Sequence, residues 1–341
     1  MSTKIEAQEL KEKDPMYSLG RKHVLDLDDF SSEELETIFS SADAMAEVMS
    51  RDIKKVPSLR GKIIMTLFYE PSTRTRVSFE QAGKVLSADV INLAASASSS
   101  TKGESLINTT RTLEAMGADV VVVRHPHSGA PYLMARYCDR LRVINAGDGR
   151  HAHPTQGLVD LYTVRQHLGD VSGKKVVIVG DITHSRVARS NLWGLLAMGA
   201  RVTLSGPATM IPMDLLENSG TYSKNNNKGI GDIEIDTNLD RAIDSADIVM
   251  ALRLQLERQE LSLFPTIREY CKYWQVNETR LAKAKQNVLV MHPGPINEGI
   301  EITSAVAHGI HSRIKDQVKN GVAIRMALLQ ELLLPKTGDD V

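Results

Sequence analysis

Short apolar runs of strand length alternate with stretches whose apolar residues recur every three or four positions, and this alternation continues along almost the whole chain. It begins with residues 25–49, LDLDDFSSEELETIFSSADAMAEVM, where a Ser-x-x-Glu start at Ser31 or Ser32 precedes helical spacing. Lys62–Tyr69 (KIIMTLFY) predicts a buried strand. From Ser72 the apolar positions Phe79, Ala82, Gly83 and Leu86 predict a helix, with Ser72 placed as its cap. Strands are then predicted at Asp89–Leu93, Asp119–Val123 and Arg142–Asn145, separated by helices at Ser105–Met116 and Pro131–Cys138. Strand, helix, strand in this order is the rhythm of a parallel sheet covered by helices.

A second unit of the same style opens near His151. QGLVDLYTVRQHLG reads as a helix, Lys174–Gly180 as a strand, RVARSNLWGLLAMG as a helix and RVTLSGP as a strand. Ser219–Asp232, rich in Asn, Gly and Lys, is predicted to be a surface loop before DRAIDSADIVMALR gives helix and strand again. One more strand is expected within Lys285–Met291, and Asp316–Leu334 closes the chain as an amphipathic helix. No tandem repeat interrupts this pattern. The expected fold class is α/β, with two doubly wound domains, each a mainly parallel sheet covered by helices.

At 341 residues the length also fits two domains. The 42% hydrophobic and 24% charged residues are those of an ordinary globular protein, and a formal charge of −1 offers no basic field to hold nucleic acid. The two cysteines, Cys138 and Cys271, lie far apart without metal-ligand spacing, which predicts a reducing, cytoplasmic setting. The first 16 residues are polar and predict a loose arm without the apolar core of a signal peptide. No stretch reaches the roughly 18 apolar residues of a membrane span.

The densest chemistry is Phe68-Tyr69-Glu70-Pro71-Ser72-Thr73-Arg74-Thr75-Arg76, between the end of a strand and the start of a helix. Backbone N–H groups, the positive end of a helix dipole, hydroxyls and a guanidinium converge there, a set able to wrap a phosphate without a glycine-rich loop. Arg124 stands at the carboxyl end of another apolar strand, the crevice side of such a sheet. The Gly-x-Gly-x-x-Gly spacing of a dinucleotide site and the Gly-x-x-x-x-Gly-Lys-Ser/Thr of a P-loop are both missing. His125, His127, His151 and His153 cluster in sequence, but their spacing and the lack of a carboxylate among them do not favour a metal site.

The segment from Phe68 to Arg76 resembles the carbamoyl phosphate signature of the aspartate and ornithine carbamoyltransferases. Other motifs of that family follow in order over roughly residues 17–333. Ser99-Ser100-Thr101-Lys102-Gly103-Glu104-Ser105 is similar to its mobile loop, and Val123-Arg124-His125-Pro126 and His153-Pro154-Thr155-Gln156 to its further carbamoyl phosphate motifs. Asp181–Arg186 (DITHSR), Arg253-Leu254-Gln255 and His292-Pro293-Gly294-Pro295 resemble the acceptor motifs of the aspartate branch. The Ser-Met-Gly and His-Cys-Leu-Pro motifs of the ornithine branch are absent.

The resemblance implies carbamoyl transfer from carbamoyl phosphate to the α-amine of L-aspartate, giving N-carbamoyl-L-aspartate for pyrimidine synthesis, with no cofactor and no metal. It implies that Ser72, Thr73, Arg74, Thr75, Arg124, His153, Gln156, Pro293 and Gly294 bind carbamoyl phosphate, joined by Ser99 of a neighbouring subunit. Among these, Arg74, Thr75, Arg124 and His153, with Lys102 from the neighbour, take the catalytic roles. Lys102, Arg186, Arg253 and Gln255 are implied to bind aspartate. The choice among Ser98, Ser99 and Ser100 stays open.

The same comparison implies a carbamoyl phosphate domain of residues 1–152 with 313–341, an aspartate domain of residues 153–312, and a homotrimer with shared sites. Regulatory chains or a dihydroorotase are possible partners; nucleic acid and membrane are not. An alternative reading is a catalytically silent or partner-dependent homologue that serves as a structural subunit. Glu298 reverses the charge of the arginine usual in the family after His-Pro-Gly-Pro-x-Asn, Val187 replaces a threonine of some relatives, and the 219–232 loop is longer than expected.

Overall fold

The computed structural model describes residues 19–94, 105–212, 232–254 and 266–335. The chain forms two compact units: one runs to Leu158 and takes up the chain again from Lys319, and the other is Val159–Val318. Both changes of unit fall within helices.

The first unit begins with α1 (Ser32–Ser50), whose capping box settles the choice of cap on Ser31. Its hydroxyl accepts from the Glu34 N–H at 3.2 Å, and the Glu34 carboxylate accepts from the Ser31 N–H at 2.9 Å. Then follow β1 (Ile63–Phe68), α2 (Thr73–Val85), β2 (Asp89–Ala94), α3 (Leu106–Ala115), β3 (Val120–His125), α4 (Ala130–Arg136) and β4 (Arg142–Asp148). The strands form a parallel sheet in the order β2-β1-β3-β4.

Met65, Leu67, Val121, Val123 and Val143 of this sheet pack with Leu25, Leu113, Met134 and Leu141 in one core. Neighbouring strands buried on both faces explain the near-continuous apolar runs in the sequence.

The second unit starts within α5 (Pro154–Leu168) and continues through β5 (Lys175–Val179), α6 (Arg186–Ala197) and β6 (Arg201–Ser205). Next come β7 (Ile233–Ile235), α7 (Leu239–Ala242), β8 (Ile248–Ala251), α8 (Ile267–Trp274), α9 (Glu278–Leu281), β9 (Leu289–Met291) and α10 (Ser304–Ala307). The final helix, α11 (Ile314–Leu333), leads back into the first unit. The sheet is parallel in the order β7-β6-β5-β8-β9, with Val177, Val179, Val249, Ala251 and Val290 in its main core.

Both sheets are doubly wound. In the first, the chain steps from β1 outward to β2 and then returns past β1 to β3, so the loops after β1 and β3 depart to opposite faces. In the second, β5 and β8 stand in the same relation. Each pair opens a crevice at its carboxyl end, where sheets of this kind hold ligands.

Candidate active site

In the first unit the crevice lies between β1 and β3, whose last register pair is Phe68 beside Arg124. The backbone joins the two loops directly, the Tyr69 N–H donating to the Arg124 carbonyl at 2.8 Å. On its other side β3 breaks register with β4 between Val123 and His125, which turns the strand at Arg124. The half-buried Arg124 guanidinium lies 3.2 Å from the Glu70 carboxylate and donates to the Ala146 carbonyl at 3.3 Å. Its donors are thus anchored from two sides at the mouth of the crevice.

Directly after β1, α2 presents its amino end. Ser72 holds the N-cap position in an extended conformation, but its side chain makes no capping hydrogen bond, contrary to the sequence reading. The first turn also contains no acidic residue. Thr73 and Arg74 are exposed and Thr75 is buried, so the turn offers hydroxyl, guanidinium and backbone donors to an incoming anion.

His153 sits just before α5 and is buried. The Thr155 hydroxyl is 3.4 Å from its Nδ1, and its carbonyl accepts from the N–H groups of Gln156 and Gly157. The approach to His153 is fixed by Asp148, which sequence reading did not single out. This buried carboxylate accepts from the Gly129 N–H at 2.7 Å, the Asn145 side-chain amide at 2.8 Å and the Ala152 N–H at 3.1 Å. It also contacts the His151 ring at 3.2 Å. Burial works against the charged form of His151, but Asp148, with Asp26 and Asp28, outweighs it and holds the pKa above the usual histidine value. His125 is shifted the other way, by burial and by its neighbour His127.

In the second unit the crevice lies between β5 and β8, with Val179 in register with Ala251. After β5 comes Gly180-Asp181-Ile182-Thr183-His184-Ser185, which delivers the buried Arg186 to the first position of α6. The Ser185 hydroxyl caps that helix on the Ala188 N–H at 3.1 Å. The Asp181 carboxylate holds the turn, accepting from the His184 N–H at 3.1 Å and meeting its ring at 2.9 Å. Gly206 lies against this turn so closely that a Cβ there would clash with the Gly180 carbonyl oxygen.

After β8 the chain continues as Leu252-Arg253-Leu254, and after the adjacent β9 as His292-Pro293-Gly294. The two switch points therefore gather Ser72, Thr73, Arg74, Thr75 and Arg124 in one unit and Arg186 and Arg253 in the other. Ser99, Lys102 and Gln255 lie outside the described residues, as does the 219–232 loop up to Asp232. Glu298 is exposed and paired with His308 at 3.0 Å. Hydrogen bonds from His308 and Ser304 keep its carboxyl below the usual range. Among the described residues no group of three or more His, Cys, Asp or Glu is placed to hold a metal ion.

Two charged crevices of this kind, one in each doubly wound unit, agree with the family comparison. The chain belongs to the aspartate/ornithine carbamoyltransferase family: residues 22–166 match the model of its carbamoyl-P binding domain and residues 172–332 that of its Asp/Orn binding domain. Within the family it is similar to the aspartate carbamoyltransferase catalytic subunit of Roseiflexus sp., 57% identical over 312 residues, covering 92% of this chain and 95% of the relative. The same subunit of Dehalococcoides mccartyi is 55% identical over 307 residues, 90% of each chain.

The fold also matches aspartate transcarbamoylase from Trypanosoma cruzi, solved in complex with carbamoyl phosphate and aspartate. The TM-score is 0.82 at 30% identity, over 95% of this chain and 99% of that one. Ornithine carbamoyltransferase from Pyrococcus furiosus matches with a TM-score of 0.79 at 28% identity, over 92% and 97% of the two chains.

Proposed function

We propose that this chain transfers the carbamoyl group of carbamoyl phosphate to the α-amine of L-aspartate, releasing phosphate and N-carbamoyl-L-aspartate for pyrimidine synthesis. The observation that carries this reading is the charge set at the two switch points. One has an uncapped helix start with Arg124 beside it and suits a phosphate; the other carries two arginines and suits a dicarboxylate.

In the reaction the amine nitrogen attacks the planar carbonyl carbon, and charge develops on its oxygen. Thr75, Arg124 and His153 donate to that oxygen. In the tautomer with Nδ1 as acceptor of the Thr155 hydroxyl, 3.4 Å away, the Nε2–H is the donating edge, which is the form this role requires. Gln156 holds the carbamoyl amide, and the carbonyls of Pro293 and Gly294 receive the amines. The bond from carbon to the bridging phosphate oxygen then breaks. Ser72, Thr73, Arg74 and Thr75 bind the departing phosphate, which takes the proton from the amine. Arg186, Arg253 and Gln255 clamp the two carboxylates of aspartate.

The active unit is a homotrimer in which Ser99 and Lys102 reach the neighbour's site. The compartment is the cytoplasm, a reading supported by the two free cysteines, Cys138 and Cys271.

The purified chain, given carbamoyl phosphate with aspartate, ornithine or no acceptor, is expected to release phosphate and form a carbamoylated product with aspartate only. Saturable carbamoyl phosphate binding without product from any acceptor would instead favour a silent or partner-dependent subunit. Mixing Arg74→Ala and Lys102→Ala chains, each nearly inactive alone, is expected to restore activity in hybrid trimers; no recovery would refute the shared site.

A further inference from the structure

Beneath the acceptor segments of the second unit lies a buried polar chain that the roles above do not use. The side chains of His292 and Glu301 are essentially sealed from solvent, 0% and 1% exposed, and meet at 3.2 Å. The Gly294 N–H donates to His292 Nδ1 at 2.8 Å, so Nδ1 carries the lone pair and the proton is on Nε2, directed at Glu301 Oε1. The same Oε1 accepts from the Asn297 N–H at 2.6 Å. The Asn297 side-chain amide then donates to the Leu254 carbonyl at 3.2 Å. One carboxylate oxygen therefore ties together the loop after β9, with Pro293 and Gly294, and the loop after β8, with Arg253.

The chain extends further. The His292 N–H donates to the Gln317 side-chain oxygen at 3.0 Å, and the Gln317 amide donates to Asp160 at 2.7 Å. Asp160 accepts as well from Asn191 of α6, the helix that begins with Arg186, at 2.8 Å. All three acceptor segments thus lead back to one buried network.

Stability alone does not account for Glu301. Its second oxygen is buried with no hydrogen-bond partner among the described residues, and a buried carboxylate used this incompletely is costly compared with an apolar side chain. The cost has a counterpart in position. Gly294 is held at φ +65°, and in the roles proposed above its carbonyl and its neighbour's receive the amines while Arg253 clamps a carboxylate, so the two loops must keep a fixed spacing. A single rigid acceptor shared by both loops sets that spacing.

We propose that Glu301 is a positioning residue for the acceptor, acting through His292 on Gly294 and through Asn297 on the segment that carries Arg253. The proposal rests on reading the second unit as the aspartate half. It differs from that reading in assigning acceptor affinity to a residue that touches no substrate.

The test compares Glu301→Met, Glu301→Gln and Asn297→Ala with the wild-type chain, measuring kcat and the KM of each substrate alongside the unfolding midpoint. Asn297→Ala, which loosens only the segment carrying Arg253, is expected to raise the aspartate KM by roughly five- to fifty-fold while the carbamoyl phosphate KM stays within about twofold, and Glu301→Met, which also frees Gly294, is expected to raise the aspartate KM at least as far. Glu301→Gln keeps an oxygen able to accept both N–H groups and is expected to stay within about twofold for both substrates.

If Glu301→Met does not fold, Asn297→Ala carries the test, because it removes only the bond to Leu254 and leaves both bonds to Glu301 in place. An unchanged aspartate KM in the folded variants overturns the proposal. So does a parallel rise in both KM values of Asn297→Ala with a lowered midpoint, which would make the network merely structural. A wild-type chain that forms no carbamoyl aspartate overturns the functional reading instead.

Discussion

Ser72 separates two physical roles that a serine at a helix start can play. A capping hydroxyl spends its lone pair on the helix, and replacing it with alanine costs about 1 kcal/mol of stability. Ser72 makes no such bond, so Ser72→Ala is expected to shift the unfolding free energy by less than about 0.3 kcal/mol. Its hydroxyl is instead available to the phosphate. A hydrogen bond to a charged group contributes about 1.5–3 kcal/mol, which corresponds to a roughly 10- to 150-fold loss of carbamoyl phosphate affinity. Ser31, which does cap α1 and belongs to neither crevice, is the control: Ser31→Ala is expected to lose about 1 kcal/mol with unchanged kinetics. Urea unfolding gives the stability of each variant, and calorimetric titration with carbamoyl phosphate gives its affinity. A Ser72→Ala chain that loses a full kcal/mol yet binds carbamoyl phosphate normally would refute the reasoning and return Ser72 to the role of a cap.

Three further outcomes follow from other parts of the molecule. Arg253→Lys keeps the charge but loses the planar fork, and steady-state kinetics are expected to show an aspartate KM raised about tenfold or more at an unchanged carbamoyl phosphate KM; an unaltered aspartate KM would remove Arg253 from the clamp. His23 is buried with Nδ1 accepting from the Val143 N–H, and burial first, then Lys22 and Arg142, lower its pKa from 6.5 to about 3. Its neutral form is favoured in the fold, so the contribution is complete above pH 6.5 and is lost as pH falls toward 3. Relative to His23→Asn, denaturant titrations are expected to show a wild-type advantage about 2 kcal/mol smaller at pH 4.5 than at 6.5, and a flat difference would contradict this. Gly206→Ala forces a methyl against the Gly180 carbonyl and is expected to cost about 2 kcal/mol or more, visible as a lowered thermal midpoint with a raised aspartate KM. An unchanged midpoint would show that the contact yields freely.

The alternation of elements was legible because each long helix and each buried strand carries its own periodicity. Arg124 and the Ser72–Thr75 turn were legible for a related reason: an arginine ending an apolar strand, or hydroxyls opening a helix, stand at the carboxyl edge of a parallel sheet. The short elements β7, α9 and α10 were not, since three or four residues do not complete a period. The sequence placed a change of unit at residues 152/153, but not at Leu158 itself, which falls inside α5, whose helical pattern runs on without a break. What pattern could not supply was the support of the site. Asp148 and Glu301 look like ordinary acidic residues in sequence, and only the fold gives them their work, by burying Asp148 against the N–H groups of Gly129 and Ala152 and Glu301 against the Asn297 N–H and the His292 ring. The missing cap of Ser72 belongs here too, because sequence specifies the hydroxyl but not where it points.

The first unit is discontinuous in the chain, and that has a consequence for its birth on the ribosome. Ile324, Met326, Leu328, Leu329 and Leu332 of α11 are buried, Arg325 stacks over the Phe79 ring at 5.2 Å, and the Leu19 N–H donates to the Glu331 carbonyl at 3.2 Å. Those contacts bring a helix made after the second unit to the unit made before it. During translation, Val159–Val318 emerges as one uninterrupted stretch and can close while the earlier residues still lack the helix that completes them. The carbamoyl phosphate half therefore cannot be completed until the acceptor half has been synthesised, and a ribosome that stops before Lys319 leaves an acceptor domain attached to an unfinished partner.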